Sequence, residues 1–171
     1  RVSLVGSEMC IRDRLITAAG GASAMLLNEG VSRTPVFEFQ SLADAGQFVA
    51  WVVTQYDHFK QVAESTTSHG QLHDININIE GNHVYLIFEF HTGDASGQNM
   101  VTIATNEVFN YILDHSPISP QDAFLDGNLS GDKKPNAHTL RHVRGKKVTA
   151  EIQLTREAGR KVLTHHTRAN G

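Results

Sequence analysis

The sequence has one cysteine, Cys10, and it lacks a run of about 18 apolar residues. A single cysteine cannot form an internal disulfide and fits a reducing compartment, so we predict a cytoplasmic protein. Because no long apolar run occurs, we expect no membrane span within this stretch. A basic excess is also missing, since the formal net charge is -3. Nucleic-acid backbones demand such an excess, so we predict no nucleic-acid partner.

A metal centre is not expected either, although the sequence has 10 histidines. His138 and His142 have the i, i+4 spacing that suits a helix. Their segment has the pattern of a strand, however, in which the two rings would lie too far apart to share an ion. No third ligand has a suitable spacing, so we predict no zinc site. The GxGxxG fingerprint is absent as well, and a Rossmann fold is therefore not implied.

What is present is a chain of 171 residues with 40% hydrophobic content, which suits a soluble globular domain with a substantial core. Residues 1–14, RVSLVGSEMCIRDR, resemble translated sequencing-adapter read-through and lack the features of a signal peptide. We therefore expect this segment to be a non-native tail, with the true N-terminal part missing. The alternative is an ordinary strand around Val2 to Val5.

Hydrophobic periodicity predicts the secondary structure. Residues 15–33 begin with small side chains, which favour a tight turn leading into a short helix around Met25 that Gly30 ends. The next predicted elements are a strand over residues 36–39, opened by Pro35, and a long amphipathic helix over residues 41–63, capped by Ser41. A hairpin follows, with strands over residues 75–79 and 84–90. The last two are a second helix over residues 100–113 and a short buried strand over residues 123–125.

This βαββαβ order is the ferredoxin-like arrangement, so the predicted fold class is α+β, with two helices on one face of a sheet. Residues 139–143 and 147–154 predict a further hairpin around Arg144 and Gly145, and a last helix follows over residues 155–163.

The loop HTGDASGQN, residues 91–99, joins the hairpin to the second helix. Its glycines let the backbone approach a ligand closely, and the helix N-terminus offers free N–H groups to a phosphate. A dinucleotide pyrophosphate would fit there. The alternative is a plain glycine-rich connection in which Asp94 or Ser96 caps the helix.

A second candidate site is the loop DGNLSGDKKPN, residues 126–136. A lysine held beside a carboxylate stays protonated and can stabilise the negative charge that develops on an oxygen during carbonyl reduction. Arg33 is a third candidate contact for an anion. The alternatives are a solvated charged turn for the loop and a surface arginine near a helix end for Arg33.

Several motifs in order together resemble the 3-hydroxy-3-methylglutaryl-CoA reductase family. They are GGAS at residues 20–23, SRTPV at 32–36, TGDASGQNMVTIAT at 92–105, GN at 127–128 and DKKP at 132–135. The third is similar to the family's GDAMGMNM cofactor loop, and the last is similar to its lysine loop. The resemblance covers nearly all of residues 15–171, and the variant is similar to the archaeal class I enzymes.

The resemblance implies an oligomeric enzyme, a homodimer or higher, that reduces 3-hydroxy-3-methylglutaryl-CoA to mevalonate and CoA with two NADPH. It implies an NADP-binding small domain over residues 34–124 and a catalytic lysine loop over residues 125–136. Residues 15–33 and 137–171 would be pieces of a larger α/β substrate domain. The family's catalytic glutamate should lie upstream of residue 15, and its aspartate and histidine beyond residue 171. We therefore predict that this chain alone is inactive.

By position in the motifs, the resemblance implies that Lys133 is the catalytic lysine, which polarises the carbonyl and stabilises the oxyanion. The implied substrate-binding residues are Arg33, Asp126, Asn128, Asp132 and Lys134. The implied cofactor-binding residues are Thr67, Ser68, Asp94, Ala95, Ser96, Gly97, Gln98 and Asn99.

The chain also departs from the family pattern. Ser96 and Gln98 replace methionines that are usual in the cofactor loop, and Asp126 stands where the family usually has a serine. These departures leave open the alternative of a non-catalytic nucleotide-binding protein. A second alternative is a ferredoxin-like interaction module, because that fold has many functions.

Overall fold

The computed structural model describes residues 4–131, 145–157 and 159–160. The described residues divide into two compact units. One holds the residues up to Leu27 and those from Val148 onward, and the other holds Asn28–Lys147.

The first unit begins with helix α1, Leu4–Ala18. Gly20 and Gly21 follow with φ angles of 90° and 106°, a backbone region that glycine enters without a steric penalty, so the helix ends there. The chain then enters strand β1, Ser23–Arg33, which continues into the second unit. The origin of residues 1–14 stays a prediction. The alternative of a strand around Val2 to Val5 is wrong for its described residues, Leu4 and Val5, which lie in α1.

The predicted short helix around Met25 is wrong, because that segment is the first half of β1. Met25, Leu26 and Leu27 are 66%, 51% and 53% exposed. A short helix gains stability mainly by burying an apolar stripe, and these side chains bury none. An amphipathic helix is indicated by apolar residues three or four positions apart, and three adjacent apolar residues do not have that spacing. The sequence therefore contained no periodic signal for a helix at this segment.

The second unit has the predicted order of strands and helices, with the first helix split in two. Its elements are β2 (Val36–Glu38), α2 (Leu42–Thr54), α3 (Tyr56–Ser65), β3 (Gln71–Glu80), β4 (His83–His91), α4 (Gln98–His115), β5 (Asp122–Phe124) and β6 (Gly145–Glu151), of which β6 runs on into the first unit.

The predicted long helix breaks at Gln55. Its predicted start is confirmed, since Ser41 is the N-cap of α2 and its hydroxyl accepts from the Asp44 N–H at 3.1 Å. At the other end, the Thr54 hydroxyl donates to the Trp51 carbonyl at 2.6 Å, and the Gln55 N–H donates to the Val52 carbonyl at 3.0 Å. These i to i-3 bonds tighten the last turn, and β-branched residues favour helix only weakly.

The predicted hairpin is confirmed. Strands β3 and β4 pair antiparallel from Glu80 and His83 outward, and Gly81 lies in the turn between them with a φ of 62°. Strand β4 is central, because β3 lies along one edge and β2 and β1 share the other. The full path of the sheet is β5-β2-β4-β1-β6, with β3 on the far side of β4.

The core lies between one face of this sheet and helices α2, α3 and α4. Alternate residues of β4 are at most 1% exposed, namely Val84, Leu86, Phe88 and Phe90. The Phe48 ring of α2 lies 5.2 Å from Phe37 of β2. Burying one such large apolar side chain stabilises the fold by about 1.5–3 kcal/mol.

Strand β5 corrects a further prediction, because it is an edge strand and not a buried one. Ala123 packs against the core, whereas Phe124 is 60% exposed. Strand β6 begins at Gly145, two residues before its predicted start. Its predicted partner strand, residues 139–143, lies outside the described residues. Within the predicted helix over residues 155–163, Arg156, Glu157, Gly159 and Arg160 are helical, and residues 158 and 161–163 lie outside the described residues. No helix in the described part of the chain is long and apolar enough to cross a membrane.

Candidate functional site

The predicted cofactor loop closes on itself between β4 and α4. The Thr92 hydroxyl donates to the Ala95 carbonyl at 2.8 Å, and the Ala95 N–H donates to the Thr92 carbonyl at 3.3 Å. Gly97 follows with a φ of 64°, and a Cβ at that position would lie 2.6 Å from the Cβ of Thr92. Both the left-handed backbone and the close approach of Thr92 therefore require glycine at position 97.

Gly97 is also the N-cap of α4, and no side chain caps this helix. The alternative in which Asp94 or Ser96 serves as N-cap is therefore wrong. The first N–H groups of a helix have no partners within the helix, and the helix dipole adds positive character there. The backbone at Gln98 and Asn99 can therefore offer hydrogen bonds to an anion.

A cavity of about 250 Å³ lies against this loop. Three of the predicted cofactor residues, Asp94, Ala95 and Ser96, line it. The other lining residues are Glu29, Gly30, Val31, Thr92, Gly93, Gly145 and Lys146. Residues 92–96 of the predicted loop therefore form one wall of this cavity, and residues 29–31 of β1 with residues 145–146 of β6 form the other.

An ion pair stands at this second wall. The Lys146 ammonium lies 2.5 Å from a carboxylate oxygen of Glu29. This hydrogen bond lowers the pKa of Glu29 and raises the pKa of Lys146, and the charge of Asp94 raises the pKa of Lys146 further. Sequence reasoning missed both residues, because they are 117 positions apart and only the neighbouring placement of β1 and β6 brings them together.

Thr67 lies beside the start of α4. Its hydroxyl donates to the sulfur of Met100 at 2.8 Å and accepts from the N–H groups of His69 and Gly70 at 3.1 and 3.2 Å. The Ser68 hydroxyl bonds instead to the His69 ring at 2.8 Å, and Ser68 is exposed. Thr67 therefore holds the loop between α3 and β3 against α4, whereas Ser68 is accessible to a ligand.

Arg33 is half-buried and not a surface arginine. It pairs with Phe88 in the register of β1 and β4, so its side chain points to the face that the helices cover. There Nε donates to the Thr102 hydroxyl at 2.9 Å, and Nη2 donates to the Gln98 side-chain oxygen at 3.5 Å. The structure thus brings Arg33 to the cofactor-loop residue Gln98.

The predicted substrate residues Asp126 and Asn128 form a turn, in which the Asn128 N–H donates to the Asp126 carboxylate at 3.0 Å. Asn128 has a φ of 63°, a conformation that asparagine tolerates better than most residues. Between them, the Gly127 N–H donates to the Thr34 carbonyl at 2.6 Å. A Cβ on Gly127 would lie 2.8 Å from the Tyr85 ring, so this contact also requires glycine.

The same segment is anchored on the other side of Arg33. The Ser32 hydroxyl donates to the Ser130 carbonyl at 3.0 Å, and both residues are 1% exposed. The segment over residues 127–130 is therefore hydrogen-bonded to the residues before and after Arg33, which are Ser32 and Thr34. Asp132, Lys133 and Lys134 themselves lie outside the described residues.

The family model of hydroxymethylglutaryl-coenzyme A reductase matches residues 4–170 of the chain. The chain belongs to this family. The reductase of Haloferax volcanii is 41% identical over 143 residues, which cover 84% of this chain and 35% of that protein. The reductase of Methanocaldococcus jannaschii is 39% identical over 153 residues, with 87% and 38% covered. The chain thus spans about a third of the length of these curated relatives.

Solved reductase structures have the same fold. A class II 3-hydroxy-3-methylglutaryl-CoA reductase from Streptococcus pneumoniae, bound to NADPH in open conformations, aligns with a TM-score of 0.66 and 14% identity. The alignment covers 94% of this chain and 43% of that one. A likeness at this identity shows a shared mixed α/β fold with an antiparallel sheet.

Gln98, one of the residues that depart from the expected family motif, has a polar partner in the structure. Its side-chain oxygen accepts from Arg33, a half-buried cation. The described residues contain no cluster of three or more His, Cys, Asp or Glu that could hold a metal ion, and His138 and His142 lie outside them.

Proposed function

We propose that this chain forms the NADP-binding domain and part of the substrate site of a 3-hydroxy-3-methylglutaryl-CoA reductase. The proposed reaction reduces 3-hydroxy-3-methylglutaryl-CoA to mevalonate and CoA with two NADPH. Residues 34–124 are then the ferredoxin-like small domain. The strand order β5-β2-β4-β3 supports this assignment, because it is the order that the βαββαβ arrangement produces.

The observation that supports cofactor binding most directly is the cavity beside residues 92–96, at the start of the 18-residue helix α4. The wall formed by these residues suits a phosphate-bearing ligand, since Gly93 exposes backbone there. The N-terminus of α4, which supplies N–H donors, begins two residues after the lining residue Ser96. A cavity of about 250 Å³ is smaller than the pockets that hold whole drug-sized ligands, so it would enclose part of a dinucleotide.

The proposed roles of the chain's own residues follow from this placement. Asp94 to Asn99 hold the cofactor, with Thr67 and Ser68 near its adenosine end. The bonds of Ser32 and Thr34 to the neighbouring loop support a shared substrate site that includes Arg33 and Asn128. Bound NADPH supplies the hydride.

Lys133 is the proposed catalytic residue, whose ammonium stabilises negative charge on the carbonyl oxygen. Asp126, Asp132 and Lys134 complete the proposed contacts to the substrate.

We further propose that the chain is of the archaeal class I type. The identities of 41% and 39% to the two archaeal relatives favour this over the class II enzyme, to which the identity is 14%. The whole enzyme is proposed to be a homodimer or higher oligomer.

The decisive test has a binding arm and a turnover arm. The full chain should melt at a higher temperature in the presence of NADPH, because a ligand that binds only the folded state stabilises it. No shift would favour an interaction module. The enzyme encoded by the complete gene should then oxidise NADPH with 3-hydroxy-3-methylglutaryl-CoA, and Lys133→Ala should abolish this. NADPH binding without turnover would favour a non-catalytic nucleotide-binding protein.

A further inference from the structure

Lys146 lies where a bound anion could reach it. It lines the cavity beside the cofactor loop, and its side chain is 48% exposed. Lys147 is the next residue of β6, and successive side chains of a strand point to opposite faces. Lys147 is partly buried and does not line the cavity. Of these two adjacent lysines of β6, Lys146 lines the cavity and Lys147 does not.

The described residues that line the cavity carry more negative than positive charge. Glu29 and Asp94 are two carboxylates in its walls, and Lys146 is the single cation among the described lining residues. A phosphate that enters between two carboxylates needs a cation, because like charges repel. Lys146 is the group in the described wall that can supply it.

From this geometry we infer that Lys146 binds a phosphate group of the dinucleotide, and that Glu29 holds its ammonium until the ligand arrives. The inference rests on the proposed function for the identity of the ligand. Glu29 and the phosphate then compete for one ammonium, so removing Glu29 strengthens ligand binding whereas removing Lys146 weakens it.

The test is a titration of the full chain and three variants with NADPH and, separately, with NADH, followed by cofactor fluorescence. Lys146→Met should weaken NADPH binding about tenfold, the effect expected of a charge-assisted hydrogen bond. Glu29→Gln should strengthen it about two- to fivefold by removing the competitor. Lys147→Met is the matched control, because it removes the same charge from the same strand, and it should bind NADPH as the unchanged chain does.

The two cofactors distinguish which phosphate is bound. Loss of affinity for NADPH alone assigns Lys146 to the 2'-phosphate, and equal loss for both cofactors assigns it to the pyrophosphate. The inference is overturned if Lys146→Met and Lys147→Met bind NADPH equally well, or if Glu29→Gln weakens binding. Either result would leave the ion pair as a cross-strand contact only. If the unchanged chain binds neither cofactor, the proposed function itself fails, which is a separate outcome.

Discussion

Arg33 at the end of β1 and Thr102 in α4 are joined by a hydrogen bond of 2.9 Å across 69 residues of sequence. This bond ties β1 to α4, the helix that begins at the predicted cofactor loop. A change at either residue should therefore affect both proposed sites.

Replacing Thr102 by valine tests this bond. Thr102→Val keeps the side-chain shape and removes the acceptor, so the free energy of unfolding should fall by about 1 kcal/mol, the usual net value of one hydrogen bond. Urea denaturation measures this change. Thr102→Ser keeps the hydroxyl and is the control. Equal stability of the unchanged chain and the valine variant would show that the contact contributes nothing.

Two glycines with nearly equal φ angles allow the effect of backbone strain to be measured separately from the effect of steric crowding. Gly97 and Gly81 have φ angles of 64° and 62°, but only at Gly97 would an added Cβ meet neighbouring atoms, those of Thr92. Gly81→Ala should destabilise the fold by about 1 kcal/mol, from backbone strain alone. Gly97→Ala should cost about 1–3 kcal/mol more, because Thr92 must move.

Thermal or urea unfolding of these two variants gives the comparison, and NADPH titration gives a second readout. Gly97→Ala should also weaken cofactor binding, whereas Gly81→Ala should not, since the hairpin turn is not part of the proposed site. If the two alanine variants are equally stable, the close approach of Thr92 does not constrain the loop.

The ion pair of Lys146 and Glu29 has a pH signature. A carboxyl whose pKa is lowered in the folded state adds stability above its unfolded pKa, and that stability is lost as the pH falls through the folded value. For Lys146, whose pKa is raised, the added stability is present below the unfolded pKa and is lost as the pH rises through the folded value. Both contributions are small because the pair is exposed.

NMR titration of the Glu29 carboxyl carbon therefore tests the pair better than stability does. The pKa of Glu29 should lie below its ordinary value in the unchanged chain and should return toward it in Lys146→Met. Lys147→Met should leave it low. A Glu29 pKa that is the same in all three proteins would contradict the pairing.

Two phenylalanines test where the core lies. Phe48 is fully buried, whereas Phe124 is 60% exposed at the sheet edge. Phe48→Ala should lower the free energy of unfolding by about 3–5 kcal/mol, because a large cavity opens among aromatic rings. Phe124→Ala should change it by about 0.5 kcal/mol or less. Comparable losses for the two would contradict the described packing.

Local patterns were enough to predict the central elements. The alternation over β3 and β4 around Gly81 and the helical spacing in α4 identified the hairpin and the second helix. These features depend on residues close in sequence, whose side chains share a face by the geometry of a strand or a helix. The loop over residues 92–99 was likewise located by its glycines and its motif.

Tertiary structure decided the rest. Met25 lies in a strand and not in the predicted helix, because pairing within the sheet overrides a weak local preference. The helix break at Gln55 has no signal in the apolar periodicity, which continues through Ala63. The bond from Arg33 to Thr102 and the pair of Glu29 with Lys146 join residues 69 and 117 positions apart. The sequence by itself determined the family and located the glycine-rich loop over residues 92–99. The charges that face the cavity were decided by the tertiary structure, because they lie on strands that meet only in the folded chain. Which side chains are neighbours across a sheet depends on strand pairing and not on distance along the sequence.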